Sequence, residues 1–400
     1  MMWRTTRLAA LTLVLSAPTA AAQEPVASTR AEAIERAQAD KVTRLHPHVP
    51  GRVEAYMKHA EELLAGGLRL HPYFQSAYSG GGFTLGAGYR APVSAYNTVD
   101  IRGSVTFSGY KRLETEFLAP RLFRRQARVS VIGGWREATQ VGFYGTGIET
   151  AKDDRVNYGF KQLYGLGVLE FRPQNRFVVL RAGTEASQWE QTPGSGNRPS
   201  VEEVYSPEAL VGLGQKITFV HSHAIVGVDT RPSPGYARRG GFYGITFRDF
   251  TDTGGEYGFK QIDYEAIHHV PLVREAWVLS FRAAASTTGS KDGQQIPFFM
   301  LPSIGGGSSL RGYGSWRFRD RNSLLLQAEW RVMVNRYIDT ALFYDTGKVT
   351  AHTRDLNLQD LRDDYGIGFR FHGPLATPLR IDLAKSHEGF SVVFSSSAVF

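Results

Sequence analysis

Asn322-Ser323-Leu324-Leu325-Leu326-Gln327-Ala328-Glu329-Trp330-Arg331-Val332-Met333-Val334 is the stretch whose reading decides the fold. Successive side chains of an extended strand point to opposite faces. Leu324, Leu326, Ala328, Trp330, Val332 and Val334 therefore share one face, and Ser323, Leu325, Gln327, Glu329, Arg331 and Met333 share the other. The same period of two recurs on either side. Val99, Ile101, Val105 and Phe107 alternate with Asp100, Arg102, Ser104 and Thr106. Trp277, Leu279, Phe281 and Ala283 alternate with Ser280 and Arg282. Tyr365, Ile367, Phe369 and Phe371 alternate with Gly366, Gly368, Arg370 and His372, and Leu379, Ile381 and Leu383 with Arg380 and Asp382. Each segment reads as a strand with one apolar and one polar face.

The polar face carries ionisable groups in mid-strand: Arg102, Arg282, Glu329, Arg331, Arg370, Arg380 and Asp382. A soluble β-sandwich produces the same alternation with its polar face in water. Three features select the inverted arrangement, apolar outside and polar inside. The segments approach about ten residues, the length that crosses a bilayer at a tilt. Aromatic residues gather near the strand ends (Trp277, Tyr337, Tyr365, Phe390), as in an interfacial girdle. The pattern also persists from about Pro72 to the C-terminus, and a single closed sheet satisfies every backbone group, as lipid demands. Composition agrees. Of 400 residues 43 are Gly and 12% are aromatic, only 21% are charged, and Cys is absent. That excludes disulfide scaffolds and zinc-thiolate sites. A mean hydropathy of −0.26 and the lack of any long apolar run exclude a helical membrane protein. The expected fold class is all-β: a transmembrane antiparallel β-barrel with a short N-terminal helical segment.

The N-terminus sets the compartment. Arg4 and Arg7 form a basic region, Leu8 to Leu15 a short apolar core, and Ala20-Ala21-Ala22 a small-residue cleavage site before Gln23. Residues 1–22 read as a secretory signal peptide. The formal charge of +8 shrinks with the two arginines it carries. A small, unclustered positive balance on an exported chain gives no nucleic-acid signature. Residues 23–71 read as a periplasmic helical segment. Thr29 caps a helix from Arg30 to Arg44, His46-Pro47-His48-Val49-Pro50 interrupts it, and a second helix runs from about Arg52 to Ala65. Val53, Met57, Ala60 and Leu64 give that helix one apolar stripe, which has to dock elsewhere. Residues 72–400 form the barrel.

A set of motifs sharpens the class. Leu301-Pro302-Ser303-Ile304-Gly305-Gly306-Gly307-Ser308-Ser309-Leu310-Arg311-Gly312-Tyr313 lies between two strands. It is followed by Glu329-Trp330-Arg331, Phe343-Tyr344-Asp345-Thr346-Gly347, Gly366-Ile367-Gly368-Phe369-Arg370 and Leu379-Arg380-Ile381-Asp382-Leu383-Ala384, and preceded by Val228-Asp229-Thr230-Arg231 with Pro232, Pro234 and Gly235. This series resembles the Omp85 superfamily, the bacterial surface antigen D15 family. Gly305 and Gly306 leading into Leu310-Arg311-Gly312-Tyr313 match that family's loop six, and the likeness covers about Ile225 to Phe400. It implies sixteen strands, an outer-membrane location, and a loop Arg311 that contacts acids on strands twelve and thirteen, Glu329 and Asp345. The terminal face Phe390, Val392, Phe394, Ser396, Ala398 and Phe400 resembles the aromatic C-terminal assembly signal of outer-membrane barrels. Members with periplasmic POTRA domains differ from this chain, because residues 23–71 are too few for one; a POTRA-less barrel is expected.

Fifteen strands can be placed. Six are about Gly82–Tyr89, Val99–Phe107, Leu113–Ala119, Ala127–Trp135, Tyr158–Phe171 and Phe177–Ala186. Nine are about Ala224–Arg231, Gly241–Phe250, Gly258–His269, Trp277–Ala285, Asn322–Val334, Tyr337–Gly347, Tyr365–His372, Leu379–Ala384 and Gly389–Phe400. The sixteenth is expected between Pro207 and Val220, and Ser187 to Tyr205 reads as a loop.

The anchoring chemistry also follows from the residues. Alternation puts Glu329 on the lumen face, and Asp345 on the side of Phe343 and Gly347. A guanidinium is a planar fork of donors that matches carboxylates bidentately, so Arg311 can pin its loop to the wall. The plainer alternative pairs Glu329 with Arg331 or a neighbouring arginine. Gly312 permits a backbone angle or a close approach that a side chain blocks. The histidine pairs His46/His48, His221/His223 and His268/His269 lack further ligands at metal spacing, and no nucleophile elbow or phosphate loop is present. No metal, cofactor or catalytic residue is expected. The functional expectation is assembly or translocation of protein or lipid at the outer membrane. Expected partners are outer-membrane lipid, the barrel-assembly machinery during biogenesis, and an unidentified client or periplasmic partner, with no nucleic acid. Gly80, Gly81, Gly82, Gly86 and Gly88 crowd the first strand; either they weaken its packing, so that the seam with the last strand could open and template a client strand, or they relieve crowding in the barrel wall, and the sequence favours neither. A passive channel or structural surface antigen is the alternative, and an outer-membrane hydrolase a more distant one.

Overall fold

The computed structural model describes residues 29–44, 51, 55–56, 69–173, 177–373, 376–396, 398 and 400. The expected signal peptide and most of the expected second helix lie outside the described residues. The chain divides into two units, Met1–Val53 and Glu54–Phe400. The first contains helix α1, Arg30–Arg44. Its start is a reciprocal cap: the Glu32 N–H donates to Thr29 Oγ1 at 3.2 Å and the Thr29 N–H to Glu32 Oε2 at 3.3 Å, satisfying two amides the helix cannot.

The second unit is a sixteen-stranded antiparallel sheet in simple sequence order. Its strands are β1 Leu70–Pro72, β2 Thr84–Pro92, β3 Thr98–Thr106, β4 Lys111–Leu122, β5 Ala127–Phe143, β6 Val156–Phe171, β7 Val178–Pro193 and β8 Lys216–Asp229. They continue with β9 Gly240–Asp252, β10 Phe259–Val273, β11 Trp277–Ser290, β12 Asn322–Asn335, β13 Ile338–Thr350, β14 Arg362–Phe371, β15 Leu379–Ser386 and β16 Gly389–Ser395. Side chains alternate as the sequence dictates: Glu329, Arg331, Phe343 and Asp345 are buried, while Trp330, Leu342 and Tyr344 between them are exposed. The exposed face is predominantly apolar, including Val226, Phe247, Phe281, Leu342, Ile367 and Leu383.

Three expectations need correction. Ser187 to Tyr205 is not all loop: Ser187–Pro193 is the last part of β7, and Val201–Val204 is a short helical turn. The sixteenth strand is not a separate element between Pro207 and Val220. Lys216–Val220 is the first part of β8, continuous with the strand expected from Ala224. Its alternation is hidden because the inward Ile217 and Phe219 are as apolar as the outward Val220; they pack into an interior aromatic core. The sixteenth strand is β1, three residues containing a proline, too short to show a period. The last strand also ends early, at Ser395. Phe390 and Phe394 point outward from it, 83% and 70% exposed. Phe400 does not share that face: its ring stacks 6.1 Å from the ring of the buried His269.

Connections are short at one end of the sheet (123–126, 274–276, 336–337) and long at the other (144–155, 194–215, 291–321). At the long-loop end the interior is filled with rings. Phe298 lies 5.1 Å from Phe143 and 4.9 Å from Tyr158, Trp189 lies 5.4 Å from Phe160, and Phe299 lies 6.1 Å from Trp189. At the short-connection end, residues 230–239 reach inward. Tyr236 Oη donates to Asp339 at 2.8 Å, and its ring stacks 3.8 Å from that of His372.

Candidate functional site: the Arg311 anchor and the seam

The long connection 291–321 folds back on itself before it meets the wall. Ser303–Ile304 pairs with Phe318–Arg319 in a two-rung ladder. Gly305 and Gly306 adopt φ +118° and +97°, a region that side chains other than Gly rarely enter. The reversal is held by the Gly305 N–H on Ser309 Oγ at 2.8 Å and the Gly306 N–H on the Leu310 carbonyl at 3.0 Å. Leu310 and Tyr313 bury themselves against Ile304, Phe318, Leu325 and Val349. That small apolar core aims Arg311 at the inner face of β12 and β13.

Arg311 is fully buried. Its Nε and Nη2 donate to the two oxygens of Asp345 at 2.6 and 2.7 Å, its Nη1 donates to Glu329 at 3.0 Å, and its guanidinium carbon lies 3.5 Å from the centre of the Phe343 ring. Burial opposes the charge, but the bonds and charge of Asp345, then Glu329 and Asp382, outweigh it and raise the arginine's pKa above its ordinary value. Gly312 has no positive φ. It is needed for space: a Cβ there would stand 2.6 Å from the Cβ of Asp364 and 3.0 Å from that of Ser386. Tyr313 Oη donates to the Asp363 carbonyl at 3.1 Å. Burial, with the nearby Glu388, Asp363 and Asp364 charges, raises its pKa and keeps it a neutral hydroxyl.

The structure therefore brings together Arg311, Glu329 and Asp345, with Gly305, Gly306, Leu310, Gly312 and Tyr313 shaping the approach. Glu329 is not paired through Arg331 alone, whose Nε stays 3.9 Å away. The site is also larger than the motif. Arg370 donates to both oxygens of Glu329 at 3.1 and 2.6 Å and to Asp382 at 2.5 Å. Arg380 holds Asp382 at 3.1 Å and donates to the Gly307 carbonyl at 2.5 Å. Gln327 bridges the Ser309 carbonyl and Asp345 at 2.8 and 3.1 Å. All four side chains sit at inward positions of the alternation, which was the available signal. Asp364, the register partner of Asp345, is buried with neither oxygen hydrogen-bonded among the described residues; it continues the inward set of Gly366, Gly368 and Arg370 one step beyond the stretch whose alternation was read.

Phe390, Phe394 and Phe400 lie apart from this network. The histidine pair at 268 and 269 splits across the wall: His268 meets the outward Tyr243 at 2.6 Å and His269 meets Ser280 inside at 2.8 Å. His221 and His223 stack 5.4 Å apart on the inner face. Among the described residues no group of three metal-type ligands converges.

The second feature is the seam. Among the described residues no ladder joins β16 to β1 or β2. The two edges approach each other around a cavity of about 230 Å³ lined by His71, Tyr73, Phe74, Arg90, Pro378 and Ser396, among others. Strands beside the seam are short: nine residues in β2 and β3, eight in β15, seven in β16, against sixteen or seventeen in β5 to β7.

The fold is shared with known barrels. BamA from Haemophilus ducreyi lacking POTRA domains 1–3 superimposes with a TM-score of 0.61 at 16% identity, over 80% of this chain and 68% of that one. CdiB from Escherichia coli gives 0.53 at 11% identity, over 79% of this chain and 59% of that one. No curated protein sequence matches the chain. The model of the Omp85 superfamily domain matches residues 73–389, and the chain belongs to the Omp85 superfamily.

Proposed function

We propose that this chain is exported by its signal peptide to the bacterial outer membrane. There it serves, without enzymatic activity, in the assembly or translocation of protein or lipid. The observation that carries the reading is the seam: two short edge strands with, among the described residues, no ladder between them in an otherwise continuous sheet. An unpaired edge presents a row of backbone donors and acceptors, and an extended client segment can add to it as a further strand. Connection 291–321, pinned through Arg311 on the inner face, acts as the lumen's internal lock in this reading. Outer-membrane lipid surrounds the wall, and the barrel-assembly machinery inserts it through the C-terminal segment containing Phe390, Phe394 and Phe400. A passive channel fits less well, because aromatic rings fill the interior at the long-loop end.

The test uses the absence of native cysteine. Pro72 and Ser396 line the cavity between the two edges, and cysteines there, joined across it by a bis-thiol cross-linker that carries an internal disulfide, lock the seam reversibly. The locked protein should reproduce the outer-membrane protein and lipid changes seen on depletion, and reduction should reverse them. An unaltered inventory in cells with the seam locked rejects the reading. Steady single-channel conductance of the unmodified protein in planar bilayers establishes a channel instead.

A further inference from the structure

The chain between β1 and β2 is not in the wall. After Pro72 it turns inward and crosses the inner surface. The Gln75 carbonyl accepts from Ser104 Oγ at 2.7 Å, the Ser76 carbonyl from Arg112 at 3.2 Å, and the Gly81 carbonyl from Ser108 Oγ at 2.6 Å. Tyr78 reaches furthest, to β6. Its hydroxyl donates to Gln162 at 2.8 Å, its ring lies 4.1 Å from Phe160, and the Arg136 guanidinium lies 4.4 Å from the ring centre. The Ser79 carbonyl accepts from Trp316 Nε1 at 2.9 Å. Trp316 belongs to the connection that carries Arg311, so this strap touches both the first strand and the internal lock.

The register of the first hairpin shows what the strap could become. Leu70 faces Tyr89, His71 faces Gly88 and Pro72 faces Ala87. The Tyr73 N–H already extends the ladder onto the Gly86 carbonyl at 2.9 Å. Continued without a slip, the ladder places Phe74 opposite Leu85, Gln75 opposite Thr84, Ser76 opposite Phe83 and Ala77 opposite Gly82. Tyr78-Ser79-Gly80-Gly81 then forms a four-residue loop, a common hairpin length, and Gly80 already holds a positive φ of +89°. The faces agree as well. Leu70, Pro72 and Phe74 fall outward, and Phe74 is exposed already; His71, Tyr73, Gln75 and Ala77 fall inward. The completed strand would run from Leu70 to Ala77, matching the eight residues of β15.

We propose that Tyr73–Gly82 is a two-position element: an internal strap in the conformation described, and the missing half of the first strand when it zips onto β2. The two positions exchange comparable interactions. The strap gains aromatic burial and a cation–π contact at Tyr78, and the zipped strand gains ladder hydrogen bonds. Zipping gives the sheet a full-length first edge to face β16 and withdraws Ser79 from Trp316. Completing the edge and loosening the lock are then one movement. The inference needs the barrel but no client, so its failure leaves the proposed function standing.

Hydrogen exchange distinguishes zipping from mere loosening, because the two have opposite signs. In the strap the N–H groups of Gln75, Ala77 and Gly82 make no backbone hydrogen bond; in the zipped register they face ladder acceptors. A Cβ on Gly80 would stand 3.2 Å from that of Ser315, slightly inside the usual disulfide separation, so Gly80→Cys with Ser315→Cys locks the strap at the cost of local strain at the positive φ of Gly80. Tyr78→Ala and Trp316→Phe release it, and Trp316→Phe keeps the ring if the alanine variant does not assemble. Purified barrels in nanodiscs are compared as locked, unmodified and released forms. The expected result is exchange at Gln75, Ala77 and Gly82 about tenfold slower in a released variant than in the locked form. Equal or faster exchange on release overturns the proposal.

Discussion

At Arg311 a single side chain holds several charges at once, and the cost of removing it is set by what it leaves behind. Without it, Asp345 loses both of its guanidinium bonds, and Glu329 keeps Arg370 and the more distant Arg331. Removing one partner from a buried ionic group typically costs about 3–5 kcal/mol, because the remaining charge stays desolvated. Arg311→Ala should insert into the membrane but lose its folded band at a markedly lower temperature when unboiled samples are run on gels. Arg311→Lys should fall between the two, since an ammonium keeps the charge but not the fork that grips Asp345 at two points. Equal melting of all three forms would show that the network carries no stability. Gly312→Ala tests the approach rather than the charge. Its methyl group would meet the β-carbons of Asp364 and Ser386, both on wall strands that cannot yield cheaply, so about 1–3 kcal/mol is lost by overpacking. The same gel assay should show a smaller shift than for Arg311→Ala.

At the scale of elements, what the sequence disclosed depended on how strongly the two faces of each strand differ. β12 and β15 alternate cleanly, and their inward charges were legible as inward. β8 begins with Ile217 and Phe219 inside, so the contrast vanished and its first turn of pattern was lost. β1 was too short to show a period, and beyond Tyr73, which still donates to the Gly86 carbonyl, the chain was not legible as strand because side-chain bonds rather than a ladder hold it in this conformation. Pairings across the interior were legible only through the family motif: Arg311 with Glu329 and Asp345 came from it, whereas the meeting of Arg370, Asp382 and Asp364 depends on the register of neighbouring strands, which alternation alone does not fix. The 230–239 connection belongs to this illegible class. Tyr236 spans from it to Asp339 and His372, and Arg238 donates to the Glu275 carbonyl at 2.5 Å. Tyr236→Phe keeps the stacked ring but leaves Asp339 without its phenol donor. A loss of about 1–2 kcal/mol is expected, read as faster proteolysis of the connection in otherwise folded barrels. Unchanged proteolysis would mean that the stack alone holds it.

For the whole molecule, the direction of the two faces matters more than any one contact. If the exposed wall meets lipid, a charge placed in its middle has to be dragged into hydrocarbon; if it meets water, the same charge is harmless. Val226, between Ala224 and Val228 on the outward face of β8, is 54% exposed, and Val228 beside it and Val220 further along the same face are exposed apolar residues too. Arginine at the midplane of a barrel wall costs about 2–4 kcal/mol, whereas a substitution at an exposed site of a soluble protein stays within about 0.5 kcal/mol. Folding of the urea-unfolded chain into phospholipid vesicles, followed across a denaturant series, reads that difference directly. Val226→Arg should lower the midpoint substantially and Val226→Leu should not. The inward-facing Ile225→Thr supplies the contrast, since it adds no charge to the lipid side. A Val226→Arg protein that folds as readily as its parent would place water on that wall, and neither the seam nor the internal lock could then work against a membrane.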